Sequence, residues 1–182
     1  MERTPKRRTL SGAKAIALVG ITAATVECGK LALMALPNVE VVTLLIALYG
    51  YVFGFWGVIS AIVFVSIEPL LYGFGTWVIS YYIYWPLVAL VFMLLRKTGV
   101  KNRWLLTAAA LALTFLFGVL TSLVEVGLFS GVTDKFMYNF AIYYARGIVF
   151  YAIQLASNAV LFPLVFKFLA GKLEHFGRVM LA

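Results

Sequence analysis

Charge, cysteine and histidine are all scarce in this 182-residue chain, and each shortage removes a class of function. Only 12% of the residues are charged and 64% are hydrophobic, against roughly 25% and 45–50% in soluble domains. That excludes a water-soluble enzyme, and nucleic acid is not an expected partner despite a net charge of +8. One cysteine, Cys28, and one histidine, His175, cannot assemble a Cys/His metal centre. His175 stands in a basic tail far from any buried serine, and Phe129-Ser130-Gly131 has no base to activate its hydroxyl. No G-x-x-x-x-G-K-[ST] phosphate loop is present either. The expectation is a chain without catalytic residues, metal or covalently bound cofactor. Any uphill transport it served would draw energy from a partner or an ion gradient.

What is present is a series of long apolar runs. A span needs roughly 20 mainly apolar residues, so the length accommodates six helices with short loops. The fold class expected is an all-α membrane protein of six transmembrane helices. It forms a single membrane domain over residues 1–182, with a basic arm (1–11), the bundle (12–170) and a basic tail (171–182). The spans are read at about Gly12–Leu36, Val39–Phe53, Phe55–Tyr72, Thr76–Leu95, Trp104–Leu123 and Tyr138–Leu169. Gly50, Gly54 and Gly57 mark a tight uncharged turn between the second and third. The first run outlasts the 7–15 residues of a signal core and lacks a small-x-small cleavage site, so it reads as a mature helix.

Twelve of the fifteen Lys/Arg fall in three segments. These are the arm (Arg3, Lys6, Arg7, Arg8, Lys14), the loop after span 4 (Arg96, Lys97, Lys101, Arg103) and the tail (Lys167, Lys172, Arg178). Six spans put all three on one face, which the positive-inside rule makes the cytoplasm. Both termini are then cytoplasmic, in a multi-pass protein of the bacterial cell membrane. The other ionisable groups gather toward the opposite side. Glu27 and Lys30 lie in the outer part of span 1, Glu68 in the outer part of span 3, and Arg146 about two turns into span 6. Glu40, Glu125, Asp134 and Lys135 belong to outer loops. Ionisable side chains are costly in hydrocarbon and mark function by default, so this asymmetry points to a polar pocket opening outward. The structural alternative pairs Glu27 with Lys30 along one helix and Glu68 with Arg146 across the bundle.

Three further patterns bear on function. Arg146, Phe150, Gln154 and Asn158 follow at i, i+4 spacing with Tyr143 and Ser157 alongside, forming either interhelical glue or one wall of a site. The aromatics Tyr72, Trp77, Tyr81, Tyr82, Tyr84 and Trp85 suit an interfacial belt, from which some rings turn inward to stack on a planar ligand. Ala13, Ala17, Gly20, Ala24 and Cys28 place small residues in register on span 1, for packing within the bundle or for docking a partner subunit.

On these residues the chain resembles the substrate-binding S components of energy-coupling factor (ECF) vitamin transporters. The resemblance is carried by Gly20/Ala24, Gly29-Lys30, Pro37-Asn38-Val39-Glu40 and Thr43-Leu44-Leu45 through Gly50 and Gly54. The stretch from Gln154 through Ser157-Asn158 to Phe162-Pro163 carries it too, and the likeness covers about residues 13–170. It implies a six-helix protein that captures a vitamin from outside, joins a transmembrane scaffold (T) subunit and two cytoplasmic ATPases, and reorients in the bilayer to release its cargo. Ala13, Ala17, Gly20 and Ala24 would dock on the scaffold, with Gly20-x-x-x-Ala24 in place of the family's common Ala-x-x-x-Ala. Pro37 to Glu40 would be the gate. The substrate-binding set is then Glu27, Lys30, Asn38, Glu40, Glu68, Tyr81, Trp85, Tyr143, Arg146, Gln154 and Asn158. Overall likeness is greatest to the cobalamin-type group, with pantothenate, pyridoxine-like compounds and a queuosine precursor open. The competing expectations are a stand-alone ion-coupled carrier using Glu27, Glu68 and Arg146 as a proton relay, and a small lipid-directed membrane enzyme with Glu68 or Glu27 as base.

Overall fold

A computed structural model describes residues 12–36, 39–129, 131 and 133–181, with side chains up to Gly177. The basic residues before Gly12, the Pro37-Asn38 pair, Ser130 and the Arg178 side chain therefore lie outside the described residues. The described secondary structure is helical throughout: α1 (Gly12–Ala32), α2 (Val42–Phe53), α3 (Phe55–Tyr72), α4 (Trp77–Lys97), α5 (Arg103–Phe129), α6 (Phe136–Arg146), α7 (Ile148–Leu161) and α8 (Lys167–Leu181), the last two joined by a π turn (Phe162–Phe166). Among the described residues, five helical runs are long and apolar enough to cross a bilayer: α1, α3, α4, α5 and the continuous Ile148–Gly177. That fits a multi-pass membrane bundle.

The sixth segment, α2, is the short one. Twelve residues rise only about 18 Å, well under the ~30 Å hydrocarbon core. Its position accounts for that. Nine of its residues, Val42 to Leu44 and Ile46 to Tyr51, are buried, and it packs on α1, α3, α4, α5 and α8. A helix enclosed by protein need not present its ends to lipid. Close approach is set by glycine: a Cβ on Gly50 would stand 2.2 Å from the Ala89 carbonyl oxygen of α4. The reversal into α3 turns on Gly54, whose φ of 61° favours a residue without a Cβ.

Residue pairs fix the course of the chain. Thr25 bonds Tyr49 at 2.6 Å and Thr22 bonds Ser60 at 2.6 Å, so α2 runs against α1 and α3 runs with it. Thr76 bonds Glu125, while Tyr84 meets Phe117, so α5 runs against α4. Thr121 faces Tyr151 and Thr114 faces Asn158, so α7 runs against α5. Six segments thus alternate in direction, and the start of α1 shares an end of the bundle with α8. The loop after α4 is at that same end. Arg96 bridges Glu174 at 2.7 Å, and the Tyr51 hydroxyl at the foot of α2 donates to the Val100 carbonyl at 2.9 Å.

The expected boundaries shift in several places: α1 ends at Ala32 and not Leu36, and α2 starts at Val42 and not Val39. Span 5 runs on to Phe129, so Glu125 is a helical residue and not a loop one. The sixth run breaks at Gly147, which makes Phe136–Arg146 a separate helix with no buried residue. Arg146 therefore ends a surface helix instead of lying two turns inside a span. The tail from Gly171 continues as helix to Leu181. The π turn follows from Pro163, which has no N–H for the helical ladder, and it stacks Phe162 and Phe166 on Phe92.

Gly50→Ala is expected to lower thermal stability by about 1–3 kcal/mol through overpacking against the α4 backbone. Gly20→Ala, where a Cβ meets nothing within 4 Å, is expected to leave the melting temperature unchanged or slightly raised. Thermal unfolding in detergent checks both.

Candidate functional site

The segment between α1 and α2 does not stay at the surface. Gly29, one turn from the end of α1, lies against the side chains of Val41 and Leu45. Glu40 reaches Asn158, which is about 15 Å along α7 from Ile148. The chain thus enters the bundle before α2 begins, and Glu40 is its inner anchor. One Glu40 oxygen accepts the Thr43 backbone N–H at 2.9 Å, and the other accepts the Thr43 hydroxyl at 2.5 Å and Asn158 Nδ2 at 3.1 Å. Asn158 Nδ2 also donates to Thr114 Oγ1 at 3.0 Å. A carboxylate at a helix N-terminus meets free N–H groups and the positive end of the dipole. Here it also ties α2 to α5 and α7.

Above this knot lies a chamber of about 230 Å³, walled by Lys30, Leu36, Glu40, Phe64, Tyr81, Trp85, Phe117, Phe150 and Gln154. Tyr81, Phe117 and Phe150 also wall a second chamber of about 450 Å³, with Trp77, Thr121, Glu125, Tyr143, Arg146 and Tyr151. Glu125, Tyr143 and Arg146 continue into a third, of about 410 Å³, between α5 and α6. The three chambers are neighbours that share side chains, in order from the Thr76–Phe129 end of the bundle toward Glu40.

Beside the inner chamber stands a charged cluster. Lys30 Nζ donates to both Glu68 oxygens, at 2.7 and 2.5 Å, and sits 3.9 Å above the Tyr72 ring. The Tyr72 hydroxyl donates to Glu27 Oε1 at 2.6 Å. Glu68 is 1% exposed and Lys30 is 32% exposed. Glu68 thus takes the ammonium and Glu27 the Tyr72 hydroxyl, and Glu27 Oε2 is buried without a hydrogen-bond partner.

The expected site residues separate into four groups. Lys30, Glu40, Tyr81, Trp85 and Gln154 line the inner chamber. Glu68 holds Lys30, and Glu27 holds the Tyr72 hydroxyl whose ring lies under the Lys30 ammonium. Tyr143 and Arg146 are exposed on α6 and wall only the outer chambers. Asn158 is fully buried and braces Glu40 without lining a chamber; Asn38 lies outside the described residues. Both structural pairings expected for the acids are replaced, since Lys30 pairs with Glu68 and neither Glu27 nor Arg146 shares an ion pair with the expected partner. Of the aromatics, Tyr84 and Trp85 are buried, whereas Tyr72 and Tyr82 are largely exposed. The small residues Ala13, Ala17, Gly20, Ala24 and Cys28 are all exposed, so they form an outward strip and do not pack within the bundle.

Sequence reasoning missed Phe64, Phe117 and Thr114. Phenylalanines in an apolar run carry no signal, whereas Thr114, a hydroxyl in mid-span, is the kind of residue that marks an interhelical bond. Compared with protein-family models, with curated proteins and with solved structures, the chain finds no match in any of the three.

Removing the ammonium strands a buried carboxylate, so Lys30→Met should lower stability by about 1–3 kcal/mol. Lys30→Met/Glu68→Met should recover most of that loss, because replacing both charges relieves the desolvation cost. Thermal unfolding of the two singles and the double measures the coupling.

Proposed function

We propose that this chain is the substrate-binding S component of an ECF-type importer in the bacterial cell membrane. In this reading it crosses the bilayer six times with both termini cytoplasmic, and takes up a small vitamin through the stepped chambers from outside. It then delivers its cargo inward with a scaffold subunit and two ATPase subunits. The observation that carries the reading is the set of polar and aromatic chambers lying toward the end opposite the basic Arg96–Arg103 loop, with Val39 and Glu40 before α2 folded in as part of the inner wall. That segment is held by side-chain bonds at Glu40 and not by a long apolar helix, which suits a gate. The exposed strip from Ala13 to Ala24 supports the docking role, because small residues facing out let another helix approach closely.

Size bears on the cargo. Ligand pockets run to about 300–1,000 Å³, and the inner chamber is about 230 Å³. Cobalamin would have to occupy the outer chambers as well. Pantothenate, a pyridoxine-like compound or a queuosine precursor is closer to the inner chamber's scale, so the geometry favours a cargo smaller than cobalamin.

A second reading, a stand-alone ion-coupled carrier, draws on Glu68, paired with Lys30, and on Glu27 beside it, bonded to Tyr72. Arg146 takes no part in it, being exposed on α6. Uptake by the purified chain alone in liposomes, abolished by an uncoupler, would select this reading.

Affinity purification from the native membrane is expected to recover a membrane scaffold and two ATPase subunits in stoichiometric amounts. Ala24→Trp should abolish that recovery and cellular uptake while ligand binding by the isolated chain is unchanged. Loss of binding together with recovery would mean that the strip supports the fold and not a partner.

A further inference from the structure

The two outer chambers carry one charge of each sign, and the two charges are not paired. Asn139, Ile142, Tyr143 and Arg146 stand at i, i+3, i+4 and i+7 on α6, and all four wall the chamber of about 410 Å³. That spacing is one face of a helix, so the face that bears Arg146 is the one turned to the chamber. From the other side α5 contributes Glu125, Val126 and Phe129. Glu125 and Arg146 wall the chamber of about 450 Å³ as well, and among the described residues no other Asp, Glu, Lys or Arg lines either space.

The carboxylate and the guanidinium nevertheless form no ion pair. Arg146 makes no hydrogen bond, ion pair or ring contact with any described residue. Glu125 is held on its own side of the space, where its Oε2 accepts the Thr76 hydroxyl at the start of α4. Opposite charges that share a chamber and stay apart leave a gap suited to an occupant with both signs. A plain anion would bring its charge to Glu125 as well as to Arg146, and a plain cation would meet Arg146. Such like-charge meetings select against both. The charged walls sum to zero, and so does a zwitterion.

The other walls describe the body of the occupant. Trp77, Tyr81, Phe117, Phe150 and Tyr151 turn rings to the larger chamber, which suits a flat apolar group. Its volume falls within the range of about 300–1,000 Å³ usual for small-ligand pockets.

We propose that the outer chambers bind a zwitterion with a flat ring body, its carboxylate received by Arg146 and its ammonium by Glu125. An aromatic amino acid is the simplest member of that class. A guanidinium fork matches a carboxylate in two parallel hydrogen bonds, and the ring extends from the charged end toward Tyr81 and Phe117. The inference rests on the importer reading and deepens it, since it names the charge class of the captured cargo.

The test is calorimetry on the full chain in detergent with two matched series. One is L-tryptophan, tryptamine and indole-3-propionate; the other is L-phenylalanine, phenethylamine and 3-phenylpropionate. Pantothenate, pyridoxine and cobalamin serve as vitamin comparators. At least one amino acid is expected to bind, and its two singly charged analogues to bind about tenfold or more weaker. Arg146→Gln should bring the amino acid down to the level of the amine, and Glu125→Gln down to the level of the acid. Arg146 has no protein bond to lose, so Arg146→Gln decides the matter should Glu125→Gln fail to fold. The inference is overturned if neither amino acid binds, if an analogue binds as well as its parent, or if both substitutions leave affinity unchanged. Recovery of ATPase subunits with the chain would then leave the importer reading standing. If nothing binds and no ATPase subunit is recovered, the importer reading itself has failed.

Discussion

A single carboxylate sets the inner geometry of this bundle. Glu40 satisfies the N-terminus of α2 and at the same time holds Asn158 of α7, which in turn holds Thr114 of α5. Without such an anchor a twelve-residue helix would begin inside the bundle with its first N–H groups unpaired, a costly arrangement away from water. With it, the preceding chain can leave the surface, pass Gly29 and form one wall of a chamber. The short α2, the space above it and the path to that space all follow from the same bond set.

The ionic cluster next to it serves a related end. Lys30 lines the chamber, yet its ammonium is held by Glu68 and lies over Tyr72, with Glu27 behind. The result is a side chain positioned at the chamber wall with its charge largely answered from the protein side.

Much of this was legible in the residues, and the misses have physical causes. Helical class and the apolar runs follow from composition and length, and the third span matches from Phe55 to Tyr72. Glu27, Lys30, Glu40 and Glu68 stood out because ionisable groups in apolar runs are costly, and the structure gathers them in one region. The partners did not follow from spacing. Glu27 and Lys30, three apart, invited a local pair, but Lys30 reaches across to Glu68 on the parallel α3, a neighbour that only the packing reveals. Arg146 was misplaced because Gly147 does not advertise a break in an otherwise helical pattern. Asn158, expected either to close the floor or to brace a neighbour, braces Glu40, a partner that depends on a loop entering the bundle and leaves no periodic trace.

In the proposed orientation the chambers walled by Thr121, Glu125 and Arg146 face the cell exterior and the Arg96–Arg103 loop faces the cytoplasm. Cysteine accessibility tests this most directly: in a Cys28→Ser background, single cysteines at Thr121 and at Val100 are exposed on intact cells to a membrane-impermeant maleimide. Labelling at Thr121 with protection at Val100 is the result predicted. Labelling at Val100 with protection at Thr121 would contradict it, because the chamber would then open to the cytoplasm.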